Sequence, residues 1–154
     1  MSEKISVWLW KIGEVFMMKI VVAIDSLKGS LTSIQAGEAI EKGIKKVDLE
    51  AEVVIKPLAD GGEGCLDAQT AMGKAPIGVA KLAKKYGKLV LGFSGAVTKG
   101  ATACNEAGID AYFPIVRSAV SLEDAMKKKN AQENLIDTVE QVFPCDKSIK
   151  IKIS

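Results

Sequence analysis

The sequence contains no histidine. That absence removes Ser-His-Asp and Cys-His catalysis, a histidine general base, and histidine-ligated zinc or haem. Acid–base work must fall to Asp, Glu, Lys, Tyr or Cys. Arginine is nearly missing as well: Arg117 stands alone among 21 basic residues, the rest being lysine. Bidentate arginine clamps on phosphate are scarcely available, so a phosphate site must use lysine, backbone N–H groups and a metal ion. Cysteine is sparse, with Cys65, Cys104 and Cys145 widely spaced and no C-x-x-C pair. The pattern argues against zinc and redox motifs, and it fits buried thiols in a reducing, cytoplasmic setting. No apolar run reaches the roughly 18 uncharged residues of a membrane-spanning helix, so no membrane partner is expected.

What is present is enough for one domain. The chain has 154 residues, 48% hydrophobic and 26% charged, so a core can form. A net charge of +2 leaves no footprint for nucleic acid. Residues 1–17 are apolar-rich, hold Trp8 and Trp10, and are interrupted by Lys11 and Glu14. They lack the small residues of a signal-peptide cleavage site. The reading preferred here is an upstream extension with the native start at Met18; the other is an amphipathic segment packed on the domain or a partner.

From Lys19 onward the elements alternate. Lys19-Ile-Val-Val-Ala-Ile24 is a continuous apolar run and predicts a strand buried on both faces. Residues 33–47 repeat apolar positions at a helical period, with Thr32 or Ser30 as N-cap. Residues 51–56 form a second strand stopped by Pro57, and residues 58–64 a glycine-rich acidic loop. Pro76 is placed to open a helix over residues 77–86, closed by Gly87. A third strand is expected at 88–94, a short helix at 100–107 closed by Gly108, and a fourth strand at 111–116. Ser121-Leu-Glu-Asp124 resembles a capping box and opens a helix running to about Val142. Such alternation predicts a mostly parallel sheet with helices on both faces, in the flavodoxin-like order 2-1-3-4. The tail from Lys147 to Ser154 alternates apolar and polar residues, and reads either as an edge strand or as a disordered end.

In such a sheet ligands bind beyond the carboxyl ends of the strands, and polar segments are forecast there. Asp25-Ser-Leu-Lys-Gly-Ser30 offers a carboxylate, two hydroxyls and an ammonium beside a helix start. In Asp60-Gly-Gly-Glu-Gly64, the glycines let N–H groups approach a phosphate while Asp60 and Glu63 are candidate Mg²⁺ ligands. A third segment runs from Asp67 through Thr70 and Lys74 to Pro76, with Lys74 beside the amides of a helix start. It is not a Walker A loop, because Ala75 follows the lysine and Ala68 stands where the first glycine belongs. Nor is it a dinucleotide fingerprint, because Asp67 takes a glycine position. Taken singly, each segment also has an ordinary reading as a cap, a turn or a solvated lysine.

Together the residues resemble a known family. Lys19-Ile-Val-Val-Ala-Ile-Asp-Ser-Leu-Lys-Gly-Ser-Leu31 resembles the opening of the bacterial glycerate kinases that phosphorylate glycerate with ATP. Pro57-Leu-Ala-Asp-Gly-Gly-Glu-Gly64 resembles the next family motif. Asp67-Ala-Gln-Thr-Ala-Met-Gly-Lys-Ala-Pro-Ile-Gly-Val-Ala80 is similar to a motif near the family's C-terminal end, and Gly108-Ile-Asp-Ala-Tyr-Phe-Pro-Ile115 and Ser121-Leu-Glu-Asp-Ala125 follow in family order. The resemblance covers residues 18–143. Residues 1–17 and 144–154 match nothing in it.

The resemblance implies an α/β, flavodoxin-like three-layer domain with a mostly parallel sheet. Family members are longer and carry a second, inserted domain. Here the N-terminal and C-terminal segments are joined near residues 62–67 with the middle portion missing. The implied activity is transfer of the ATP γ-phosphoryl group to glycerate, giving 2-phosphoglycerate, with ATP and Mg²⁺ as cofactors. By resemblance Asp25, Lys28 and Asp60 are the catalytic candidates. Ser26, Ser30, Gly61, Gly62, Glu63, Gly64, Asp67, Thr70 and Lys74 would bind substrate or nucleotide. Asp25 or Asp60 would hold Mg²⁺ or take the substrate proton, and both assignments stand open. The missing portion puts turnover in doubt, since a cleft with one wall cannot align donor and acceptor. The alternative is a non-catalytic remnant or an interaction module. The former domain interface would be apolar and would favour a homo-oligomer.

Overall fold

The computed structural model describes residues 19–24, 26–27, 29–58, 65–67, 70, 72 and 75–143. The extension expected at 1–17 and the tail at 144–154 lie outside the described residues. Strand β1 is Lys19–Ile24 and helix α1 is Ser33–Val47. Strand β2 is Glu52–Pro57, and a two-residue strand β3 is Cys65–Leu66. Helix α2 is Ala75–Lys85, strand β4 is Leu91–Ser94 and strand β5 is Ala96–Val97. A 3-10 turn at Lys99–Thr102 leads into α3, Ala103–Glu106. Strand β6 is Ala111–Pro114, helix α4 is Leu122–Met126 and helix α5 is Lys128–Val142.

The fold is mixed α/β with short parallel strands, consistent with a flavodoxin-like domain. Three parallel pairs form: β1 with β2, β3 with β5, and β4 with β6. The pairs 2-1 and 3-4 of the expected order are present. The single continuous sheet is not: among the described residues each ladder has two strands. Packing joins the pairs instead. Phe93 of β4 stacks on its register partner Phe113, with ring centroids 5.7 Å apart, and packs on the core beneath β1. Ile115, just past β6, is buried in that same core.

The larger core gathers Val22 and Ile24 of β1, one face of α1, Ile115, and Ala131, Leu135 and Val139 of α5. Helix α1 forms as its period requires. Thr32 Oγ1 accepts from the Gln35 amide at 3.2 Å, and Gln35 Oε1 accepts from the Thr32 amide at 3.3 Å. That reciprocal cap selects Thr32 rather than Ser30 as N-cap. Helices α1 and α5 approach closely at Gly43, where a Cβ would stand 2.8 Å from the Ile136 carbonyl oxygen and the Val139 side chain. The smaller core holds Leu66, Ile77, Ala80, Ala101, Cys104 and Ile109.

Four expectations need correction. Strand β1 is not buried on both faces, since Val21 is 61% exposed. The face opposite α1 carries Lys19, Val21 and Ala23 against Glu52, Val54 and Lys56, and Lys19 pairs with Glu52 at 2.7 Å. The helix from Ser121 is not continuous, because Lys127 takes an extended ψ of 126° between α4 and α5. Its N–H still reaches the Asp124 carbonyl at 3.2 Å while its ammonium pairs with the Asp124 carboxylate. The third and fourth strands are shorter than expected, and the helix at 100–107 splits into a 3-10 turn and one turn of α-helix. Strands β3 and β5 have no counterpart in the sequence reading; two residues are too few to show a period.

The two glycine stops hold. Gly87 has φ +62° and Gly108 has φ +114°. After α2, Gly87 N–H donates to Lys84 O and Lys88 N–H to Ala83 O; after α3, Gly108 N–H donates to Asn105 O and Ile109 N–H to Cys104 O. Both are Schellman closures, in which a left-handed residue satisfies the last helical carbonyls.

Candidate functional site

The parallel register of β1 and β2 ends at Ile24 opposite Pro57, and the Leu58 N–H donates to the Ile24 carbonyl at 2.9 Å. The segments that follow these two strands therefore leave from neighbouring positions on one edge. Asp25, Lys28 and residues 60–64 lie outside the described residues; their flanks are what the structure positions. Downstream of β1 the chain folds into a tight turn. Leu27 and Leu31 are both buried and bridged to each other, and the Leu27 carbonyl accepts the Ser30 N–H at 2.9 Å and the Ser30 hydroxyl at 3.0 Å. Gly29 has φ +80°, the value required third in a type II turn. The turn is pinned by its own leucines, and the Ser30 hydroxyl is spent on the Leu27 carbonyl. Thr32 already uses the Gln35 amide, so an anion at the start of α1 would be held by the Ser33 and Ile34 amides.

Asp67 and Thr70 hold each other. Asp67 Oδ1 accepts the Thr70 N–H at 2.8 Å and the Thr70 hydroxyl at 2.9 Å, while the Asp67 N–H donates to Thr70 Oγ1 at 3.3 Å. Thr70 is buried. The buried Cys104 thiol lies against the Asp67 carbonyl, with Sγ 3.6 Å away. Burial, and after it the Asp67 charge, push the Cys104 thiol above its ordinary value, which suits a packing group. What the structure gives Asp67 and Thr70 is the geometry of a turn.

The C-terminal end of α2 sits at the amino ends of β4 and β6: Lys84 pairs with Asp110, which also accepts the Val90 N–H at 2.7 Å, and Gly108 packs on Ala80 and Lys84. Ala75 is at the opposite end of α2 from these contacts. Lys74 itself lies outside the described residues.

The turn after β1 touches the segment after β6. The side chain of Met126, in the connection after β6, packs on Gly29 so closely that a Cβ there would collide with its Cε. The strand pair β3–β5 ties in the third segment: Cys65 pairs with Ala96, and the Leu66 carbonyl accepts the Thr98 N–H at 3.0 Å. The sequence reading passed over residues 95–99. Ser94 is buried at the end of β4 and donates to the Ala96 carbonyl at 2.8 Å, and Lys99 opens the 3-10 turn at the same edge. The signal available was a Ser-Gly-Ala run after an expected strand.

Two concavities lie along α5. One, of about 410 Å³, lies between Phe113 and Pro114 of β6 and Thr138, Gln141 and Val142 of α5, with Arg117 at its rim. The other, of about 170 Å³, is polar and is formed by Ser118, Asp124, Asn130, Glu133 and Asn134 with Val120 and Ala125. No group of three or more metal-ligating side chains occurs among the described residues, and no helix among them is long and apolar enough to cross a membrane.

With this geometry in hand, comparison with known proteins is decisive at the level of family. The glycerate kinase family model matches residues 20–68 and again 62–145. The chain belongs to the glycerate kinase family. It is 44% identical over 99 residues to a glycerate kinase of Bacillus subtilis, which covers 63% of this chain and 26% of the relative. It is 37% identical over 117 residues to a glycerate kinase of Haemophilus influenzae, covering 73% of this chain and 29% of the relative. It is 38% identical over 95 residues to a glycerate 2-kinase of Escherichia coli, covering 59% of this chain and 25% of the relative. The chain thus spans under a third of the length of these relatives. No solved structure matches it.

Proposed function

We propose that the chain is a nucleotide-binding glycerate kinase homologue whose phosphoryl-transfer capacity is impaired because its two family segments are joined without the middle portion. Two matched stretches that overlap at residues 62–68, in a chain covering about a quarter of its relatives, support the join. The reaction of the lineage on this reading is transfer of the ATP γ-phosphoryl group to a glycerate hydroxyl, giving 2-phosphoglycerate. The observation that supports the reading is the parallel register of β1 and β2, in which Ile24 ends opposite Pro57 and the Leu58 N–H donates to the Ile24 carbonyl, so that Asp25 and Asp60 follow the ends of paired strands in the sequence.

The chemistry asked of the residues is modest. Phosphoryl transfer needs alignment and charge neutralisation more than covalent participation. Lys28 and Lys74 would balance phosphate or carboxylate charge, and the amides of Gly61, Gly62 and Gly64 would approach phosphate oxygens. Two carboxylates after adjacent strands form an all-oxygen donor set, the kind Mg²⁺ takes, so Asp25 and Asp60 fit the ion as candidate ligands. When bound, Mg²⁺ supplies neutralisation of phosphate charge. One of the same two carboxylates would take the proton of the substrate hydroxyl, a task that needs no histidine.

Isothermal titration of the folded full chain with ATP–Mg²⁺, beside a coupled assay with glycerate, tests the proposal. Binding is expected, with turnover far below that of a complete relative assayed in parallel. Lys28→Met should weaken binding by roughly 10- to 100-fold, the cost of one hydrogen bond to a charged group. A folded chain that takes up no nucleotide overturns the reading. Turnover equal to the complete relative overturns the impairment.

A further inference from the structure

We propose that the open face of the β1–β2 pair is covered by the chain's own residues 4–16, as an amphipathic helix that packs Trp8 on Val21 and Val54 and leaves Trp10 in water. The inference rests on that face and on the sequence joined to it, not on phosphoryl transfer.

Parallel strands are ordinarily covered on both faces. The β1–β2 pair is covered on one. Val22 and Ile24 enter the larger core, and Val53 and Ile55 pack against it. Val21 and Ala23 of β1 and Val54 of β2 alternate to the other side, where Val21 and Val54 are register partners. The smaller core lies on that side of β6, since Tyr112 packs against it while the neighbouring Phe113 stacks on Phe93 of the larger core. No residue of β1 or β2 belongs to the smaller core. An apolar strip of Val21, Ala23 and Val54 is therefore without a core of its own among the described residues, and Val21 is mostly exposed.

The occupant is the polypeptide joined to this face. Lys19 opens β1, and residues 1–18 precede it. Ile5, Trp8, Leu9, Ile12 and Phe16 recur at i, i+3, i+4, i+7 and i+11, which is one stripe of a helix, and Glu3, Lys4, Lys11 and Glu14 all fall outside the stripe. Trp10 falls opposite it. Thirteen residues of helix rise about 20 Å, and a six-residue strand such as β1 spans about the same. Residues 17 and 18 are left for the return into β1, within the roughly two to six residues usual for such a connection. Helix α1 returns to β2 through residues 48–51 in the same manner. Tethering favours this segment over a second copy, because a segment two residues from its site meets it at an effective concentration on the order of millimolar. The family match begins at residue 20, so the cover is additional to the matched segments. Of the two readings of residues 1–17, the open face favours the amphipathic segment packed on the domain.

Both tryptophans of the chain lie in this segment, so tryptophan fluorescence of the full chain reads it alone. Trp10→Phe leaves Trp8 as the reporter, and Trp8→Phe leaves Trp10. Trp8 should emit at shorter wavelength than Trp10 and resist acrylamide quenching better. Val21→Lys, added to Trp10→Phe, sets a charge under the stripe and should shift the Trp8 emission and quenching to those of Trp10. Val21→Thr keeps a β-branched residue in the strand and should give the same shift in smaller measure, so the test stands even where the lysine disturbs β1. Ile34→Lys, at an exposed position of α1, should leave Trp8 unchanged. Equal emission and quenching from the two tryptophans, or a Trp8 signal indifferent to both Val21 variants, overturns the proposal. So does a Trp8 signal that shifts to shorter wavelength with rising protein concentration, which would assign the face to a second copy.

Discussion

The two cores of the domain are walled differently. The larger is enclosed by two fifteen-residue helices, α1 and α5, whose backbones meet at Gly43, with Ile44, Leu135 and Val139 sealed between them and β1. The smaller is closed by α2, a 3-10 turn and one turn of α3, and half of its buried members are small: Ala80, Ala101 and Cys104 beside Leu66, Ile77 and Ile109. Side chains set between two long helices cannot relax when one is cut back. Side chains under short turns can. The large core thus fixes the direction of β1 and β2, while the small core leaves the edge near Asp67 and Thr70 more room to adjust.

The largest expected effect is on that contrast itself. Leu135→Ala should destabilise the domain by about 3–5 kcal/mol, and Ile77→Ala, in the small core, by about 2–3 kcal/mol, because the cost of a cavity depends on how far its walls collapse. Urea unfolding of both variants measures the gap. Equal losses, or a greater loss at Ile77, would mean that the two cores are equally rigid.

Next is the helix contact. A Cβ at Gly43 would press on the Ile136 carbonyl, which belongs to α5 backbone and cannot swing aside. Gly43→Ala should therefore cost about 1–3 kcal/mol despite the better helix propensity of alanine. Gly78, on the exposed side of α2, has nothing within 4 Å of the same built atom. Gly78→Ala should gain up to about 1 kcal/mol on propensity alone. Opposite signs for one substitution on two helices would mark which one is packed on both sides.

Much of this architecture was legible. The period of residues 33–47 gave α1 with its bounds, and Gly87 and Gly108 marked the ends of α2 and α3, because a left-handed stop asks for glycine in any context. The exposure of Val21 was not legible. A run of β-branched residues reads the same whether one face of the strand is covered or both. The break at Lys127 was also hidden, since nothing in Met-Lys-Lys-Lys-Asn disfavours helix. At the candidate site the polar segments themselves could be read from residue types. The role of Asp67 could not, because a carboxylate three residues before a threonine serves as a cap or as a ligand with the same sequence.

The link between the small core and its strands should show in pH. The Lys84 ammonium, the Val90 N–H and the Lys84 charge hold the Asp110 carboxyl below its ordinary value of 3.8. A carboxylate depressed in the folded state contributes stability that is fully present above the ordinary value and is lost as pH falls through the folded one. Asp110→Asn should accordingly be less stable than the parent at neutral pH, with the gap closing as both are acidified below 3.8. A gap that persists unchanged at low pH would assign the effect to packing.

The smallest effects compare caps. Thr32 gives and receives in a reciprocal pair with Gln35 and opens a helix packed in the large core. Ser121 accepts the Asp124 N–H at 3.1 Å and donates to its carboxylate at 2.8 Å, but it opens the five-residue α4, none of whose residues is buried. A cap is felt globally only if the helix it starts must form for the core to close. Thr32→Ala should cost about 1 kcal/mol, near the usual value for losing a capping hydroxyl, measured by thermal or urea unfolding. Ser121→Ala should lower global stability by only a few tenths of a kcal/mol, because α4 can fray while α5 stays packed. Its effect should appear instead as faster amide exchange at Asp124 and Ala125, whose N–H groups bond to Ser121. An equal global loss from both substitutions would make α4 part of the cooperative unit, and the edge above Gly29 would then be as firmly held as the helices beneath it.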